Sequence, residues 1–198
     1  PDARPATIRR SVEGSLRRLR TDRIDIYYQH RIDPSVEPET VAEVMAGLIR
    51  EGKILHWGIS EATEEYLRRA HRVCPVAAIQ NRFSMMARWH EVLLPVCEEL
   101  GIGFVAHSPL ANGLLTNCYT AGTAFDPATD YRASMPQYRP ESFEKNRALF
   151  SLLERLADGY RATASQISLA WMMNKRPPIV PIPGTRRLFR LKENIGAA

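Results

Sequence analysis

The 198-residue chain is short of cysteine: Cys74, Cys97 and Cys118 are an odd number with no C-x-x-C pair. That argues against a disulfide framework and a thiolate metal site, and the three read as reduced cytoplasmic thiols, two of them in apolar surroundings. No apolar run approaches the roughly 20 residues that cross a bilayer, so no membrane partner is expected. The opening PDARPATIRR lacks the apolar stretch of a secretory signal, and the expected location is cytoplasmic. Low-complexity tracts and repeats at a fixed spacing are also missing. Charge is nearly balanced, at +5. Much of the surplus, Arg9, Arg10, Arg17, Arg18 and Arg20, interleaves with Ile8, Val12, Leu16 and Leu19 in the pattern of a solvated helix face, so no nucleic-acid partner is expected either.

Two motifs are present in letters only. Gly101-Ile102-Gly103 with Ala106 matches G-x-G-x-x-A, but it follows a helical stretch and enters a strand, the reverse of what a dinucleotide fold requires. His90-Glu91 begins like a zinc-protease helix, yet Leu94 occupies the place of the second histidine, and no metal site is expected.

What is there is an alternation of amphipathic helices and short apolar strands. Helices are expected around Ile8–Leu19, from Pro38 to a stop at Gly52, after a Thr63 cap, around Leu93–Leu100 with Gly101 as its stop, from Ser142 to Tyr160, and from Thr163 to Lys175, where Thr163 and Gln166 form a capping box. Strands are expected at Ile24–Tyr28, Ile54–Ile59, Val76–Ile79, Ile102–Ala106 and Ile179–Ile182. Apolar strands alternating with helices imply a parallel sheet covered by helices, an α/β fold in a single domain over 1–198. Five strands leave open a doubly wound sheet and a barrel without its first strands. The stretch from Leu115 to about Pro140 has no clear period and reads as a functional lid.

Polar residues collect at the strand ends, where parallel α/β folds keep their chemistry. The first strand ends in His30, the second in Ser60-Glu61, the third in Gln80-Asn81, and the fourth in His107-Ser108-Pro109-Leu110 followed by Asn112-Gly113. A single strand-end histidine is structural more often than catalytic, but convergence of several polar groups indicates a site. After the last strand come Gly184, Thr185, Arg186, Arg187 and Arg190, then Glu193 and Asn194. Free amides and guanidinium groups there make a cradle for a phosphomonoester, against the plainer reading of an exposed basic helix end.

Taken in order, Asp25–His30, Glu51–Ile54, Gly58–Ser60, Gln80-Asn81, His107–Leu110, Ile182–Arg186 and Glu193-Asn194 resemble the aldo-keto reductases. The likeness is to the bacterial branch that also resembles potassium-channel beta subunits. The resemblance implies a (β/α)₈ TIM barrel, here incomplete, with the five strands as the fourth to the eighth. It implies that His30 is the catalytic histidine that orients a substrate carbonyl. Ser60 and Gln80 would hold the nicotinamide carboxamide with Glu61 beside them, and His107 would stack on the ring where Tyr or Trp is commoner. Ser108, Leu110 and Asn112 would contact the pyrophosphate, and Arg132 would reach a phosphate from the lid. Gly184, Thr185, Arg186 and Arg190 would surround the 2′-phosphate, with Glu193 and Asn194 near the adenine. The implied cofactor is NADPH and the implied partner a small-molecule aldehyde or ketone, reduced to its alcohol; the oligomeric state stays open. The family's general acid, a tyrosine supported by a lysine and an aspartate, has no counterpart in this chain. The alternatives are a non-catalytic cofactor-binding sensor or interaction subunit, and an unrelated barrel that uses the basic end for a phosphorylated substrate.

Overall fold

The structure, a computed structural model, describes residues 1–198. The elements run α1 (Pro5–Leu19), β1 (Ile24–Gln29), α2 (Pro38–Arg50), β2 (Ile54–Ser60), α3 (Glu64–Val73), β3 (Ala78–Arg82), α4 (Leu94–Leu100), β4 (Gly103–His107), α5 (Pro140–Tyr160), α6 (Ala164–Met173), β5 (Ile179–Pro181) and α7 (Leu188–Ile195). The strands lie in the order β1-β2-β3-β4-β5. Tyr27 faces Trp57 and Gln29 faces Ile59 in the parallel β1–β2 pair; Ser60 faces Gln80 in the parallel β2–β3 pair. Spacing alone left two topologies open, and strand order decides between them. A doubly wound sheet reverses its order at a switch point, whereas parallel strands laid down in chain order make the wall of a (β/α)₈ barrel. Element ends differ from the sequence reading by one to three residues, as at β3 and β4, because strand ends are set by ladder partners that local composition does not reveal.

The chain divides into two compact units: Pro1–Asn81 with His90–Val105, and Arg82–Trp89 with Ala106–Ala198. In the first, α1 starts at a proline whose fixed φ suits the first helical turn and ends at Arg20 in the left-handed region. It buries Ile8, Val12 and Leu16 and turns its arginines outward. Against α2 and α3, β2 packs Trp57 and Ile59, both fully buried, and the Trp57 indole N–H donates to the Cys74 carbonyl at 3.3 Å. Burial pushes the Cys97 thiol up to about 11 and leaves it an inert core residue. On the other sheet face Tyr28 lies over Gly58, while Ile26 is 40% exposed.

In the second unit Ala111, Leu114, Leu115, Tyr138, Leu153 and Ala164 form a core. Its α6 opens with the capping box: the Thr163 hydroxyl accepts from the Gln166 amide at 3.2 Å, and the Gln166 side chain accepts from the Thr163 amide at 2.9 Å. The same Gln166 donates to the Glu193 carbonyl in α7 at 3.1 Å. We expect Thr163→Ala to cost about 1 kcal/mol, the usual worth of an N-cap, measured as a shift in the urea midpoint.

The stretch read as an aperiodic lid is more ordered than its sequence suggests. It carries short 3₁₀ turns at Tyr131–Ser134 and Pro136–Tyr138. Tyr119, Phe125 and Tyr138 pack edge-on or tilted, with ring centroids 4.8 to 5.7 Å apart.

Candidate functional site

In the first unit the parallel strands bring their polar ends to one rim. His30 follows β1 directly and is exposed. The Arg31 guanidinium spans the tips of β1 and β2: Nη1 donates to the His30 carbonyl at 2.5 Å and to the Ser60 hydroxyl at 3.0 Å. Ser60 is buried and donates in turn to the Gln80 carbonyl at 3.0 Å, which also accepts from the Glu61 amide. His30, Ser60, Glu61 and Gln80 are thus tied together by hydrogen bonds running through Arg31 and the backbone.

Beside them lies a chain of polar contacts. Asn81 is fully buried and makes a reciprocal pair with the Ala62 backbone, accepting from its amide and donating to its carbonyl at 3.0 Å each. That pair fixes which end of the side-chain amide is NH₂, so the second amide hydrogen points at His90 Nδ1, 3.1 Å away. Nδ1 must then accept, which puts the ring proton on Nε2, 3.2 Å from a Glu61 carboxylate oxygen. Glu61 itself has φ of 56°, a conformation costly for a side chain with a Cβ and one that concentrates where a site over-determines it.

The second unit has its own cavity, of about 550 Å³. Its lining includes Ser108, Leu110 and Asn112 from the chain after β4, and Gly184, Thr185, Arg186, Arg187, Arg190 and Asn194 from the chain after β5. The chain after β4 is bent sharply to do this, with Ser108, Ala111, Asn112 and Gly113 all at positive φ. His107 sits at the β4 tip, its Nδ1 3.2 Å from the Ser108 hydroxyl. Before α7 the Thr185 hydroxyl accepts from the Arg187 amide at 3.1 Å, so the turn starts at the threonine and the helix at Leu188. Arg190 Nη1 is 2.7 Å from Glu193, and its Nη2 donates to the Cys118 sulfur at 3.1 Å. Burial works against the Glu193 carboxylate, but hydrogen bonds from Arg190 and its neighbours outweigh it and hold the group below the usual carboxylate range. Arg186 and Arg187 are exposed and form no ion pair, so the cavity keeps uncompensated positive charge.

Two expected phosphate contacts are already engaged. Arg132 lines the cavity, but its Nε and Nη2 grip Asp130 at 2.5 to 3.1 Å and its Nη1 donates to the Tyr119 hydroxyl at 2.6 Å. Asn112 donates to the Tyr131 hydroxyl at 3.0 Å, and its backbone carbonyl accepts from the Tyr138 hydroxyl at 2.9 Å. Burial pushes that phenol up to about 12, so Tyr138 stays a neutral donor. Arg132 thus braces the 119–138 segment internally, and Asn112 ties that segment to the turn after β4.

A pH dependence follows. Hydrogen bonds from Arg132 hold the Asp130 carboxyl below its ordinary value. The native state therefore gains from the ionised form above an unfolded pKa of about 4 and loses that gain as pH falls below it. Near pH 3 we expect enhanced proteolysis between Tyr119 and Tyr138; in Asp130→Asn that susceptibility should already be present at pH 7.

The sequence matches the Aldo/keto reductase family over residues 1–198. It is 38% identical over 198 residues to aldo-keto reductase str7 of Strobilurus tenacellus, covering 98% of this chain and 59% of that protein. It is 37% identical over 194 residues to a probable aldo-keto reductase 1 of Glycine max, covering 98% of this chain and 56% of the relative. Among solved structures, a glycerol dehydrogenase from Gluconobacter oxydans superposes with a TM-score of 0.91 at 30% identity, over 97% of this chain and 58% of that one. A thermostable aldo-keto reductase solved with the inhibitor epalrestat superposes with a TM-score of 0.78 at 30% identity, over 98% and 61%. The chain belongs to the aldo/keto reductase family. It spans a little over half the length of these relatives.

Within this family member the sequence reading overlooked three residues of these networks. Arg31 had a visible signal, its place next to His30. His90 was considered only as a metal ligand, and its link to Glu61 joins residues 29 apart. Cys118 lies 72 residues from Arg190, with no local pattern to connect them.

Proposed function

We propose that this chain forms the cofactor-holding part of an NADP(H)-dependent reductase of aldehydes or ketones. The observation that carries the reading is the 550 Å³ cavity, whose lining combines Arg186, Arg187 and Arg190 with hydroxyl and amide groups. The residues suit a phosphorylated dinucleotide: Arg186 and Arg187 have charge to spare, and Arg190 keeps three N–H groups beyond those used on Glu193 and Cys118. When bound, the reduced nicotinamide supplies a hydride to the carbonyl carbon. In the first unit Ser60 and Gln80 would hold the carboxamide and the exposed His30 imidazole would orient the carbonyl oxygen; in the second, His107 would offer a ring face. The alkoxide must take up a proton as it forms, and a positioned acid gives about 10²- to 10⁴-fold of rate. The family's tyrosine, lysine and aspartate have no counterpart among residues 1–198. The 198-residue polypeptide is therefore expected to bind cofactor and to turn over carbonyls slowly or not at all.

Fluorescence titration with NADPH and NADH tests this. Saturable binding with a clear preference for NADPH is the expected result. Absence of NADPH binding would overturn the proposal, and equal affinities would remove its phosphate part.

A further inference from the structure

Arg31 is held in place but not neutralised. Both of its hydrogen bonds leave from Nη1 and end on uncharged oxygens, the His30 carbonyl and the Ser60 hydroxyl. Nε and Nη2, the side-on edge of the guanidinium, keep three N–H groups without a protein acceptor. That edge is the one that takes a carboxylate with two parallel hydrogen bonds. Other arginines of the same unit spend it on protein carboxylates: Arg68 on Glu64 and Glu99, and Arg69 on Glu39 and Glu37.

The nearby acids are committed elsewhere. Asp33 accepts from the Ala3 amide and from the amide and hydroxyl of Ser35 at 2.7 to 3.0 Å. Asp2 is taken by Arg4 and Thr7, and Glu61 faces His90. Arg31, Tyr28 and His30 are among the residues that line a cavity of about 360 Å³.

We propose that Arg31 is a specificity-determining residue that selects carbonyl compounds bearing a carboxylate. The assignment rests on His30 marking the place of the carbonyl, as in the function proposed above. Nη1 fixes the guanidinium across the two strand tips, so little side-chain freedom is left to lose when an acid docks on the other edge.

The test is a matched pair of unhydrated ketones, 4-oxopentanoate and pentan-2-one, titrated against the 198-residue protein by NMR at 0.15 M salt, with and without NADP⁺. Because Arg31 is exposed, a bidentate charge-assisted contact there favours the acid by about 2- to 10-fold at this salt. Arg31→Gln should remove most of that preference and Arg31→Lys should keep part of it. Arg10→Gln deletes the same charge from the exposed face of α1 and should leave the preference intact. A preference lost equally in Arg10→Gln would make it a net-charge effect and overturn the proposal. Equal weakening of both ketones by Arg31→Gln would make Arg31 a brace for the strand tips and overturn it too. The arms without NADP⁺ separate the two readings: failure of cofactor binding sinks the proposed function, while an acid preference that depends on Arg31 survives it.

Discussion

Replacing Gly58 with valine should destabilise the protein by about 3 kcal/mol or more, at the severe end of what overpacking costs. A Cβ at this position would stand 2.4 Å from Tyr28 Cε1 and 2.7 Å from Tyr28 Cδ1, inside any real contact distance. The ring could swing away. The third neighbour could not: the Ala78 carbonyl oxygen, 2.7 Å off, belongs to the backbone of β3, and Gly58 faces Ala78 in the parallel ladder. Relief would need β2 and β3 to part. Alanine already creates these contacts, and valine adds two methyl groups to the same crowded space. Shortening the ring neighbour in Gly58→Ala/Tyr28→Ala should recover only part of the loss, because the carbonyl clash stays. Urea unfolding followed by far-UV circular dichroism measures all three variants, the two single substitutions and the double one. If Gly58→Ala unfolded at the wild-type midpoint, the close approach of β1, β2 and β3 would be wrong. Tyr28 and His30 alternate onto one face of β1, so a displaced ring also moves the strand tip that carries the imidazole.

Gly58 also marks where the sequence stops being informative. Its place near the end of an apolar strand is legible, and so are the elements around it, because helices and strands announce themselves through local periodicity and caps. The Thr163–Gln166 box spans four residues, and the structure has both of its hydrogen bonds. Strand order was not legible: five apolar runs suit an open sheet or a barrel wall until ladder partners are known. In the site, the residues at strand ends could be named because position along a strand is a one-dimensional fact. What those side chains touch could not. Asn112 reads as a phosphate contact by its neighbours in sequence, yet its amide is taken by Tyr131, 19 residues on. The order between Tyr119 and Tyr138 comes from aromatic rings at irregular intervals, which leave no period to detect.

Arg190→Ala should weaken NADPH by about 10- to 100-fold, the worth of a charge-assisted contact, and NADH by less than about threefold. Two effects add in the same direction. The substitution deletes a donor to the phosphate, and it strips Glu193 of its partner, leaving a carboxylate only 14% exposed beside an incoming dianion. The second effect can be isolated. Glu193→Gln placed on Arg190→Ala removes the naked charge and should restore part of the NADPH affinity, while barely moving NADH. Arg186→Ala provides the contrast, since Arg186 has no acidic partner to orphan and its loss should not respond to Glu193→Gln. Both losses should shrink as salt rises from 0.05 to about 0.5 M, because these side chains are reached by solvent and their attraction is screened. Paired titrations of the single and double variants with the two nucleotides decide the matter. Equal losses of NADPH and NADH in Arg190→Ala would mean that the arginine supports the cavity through Glu193 and Cys118, with no part in holding a phosphate.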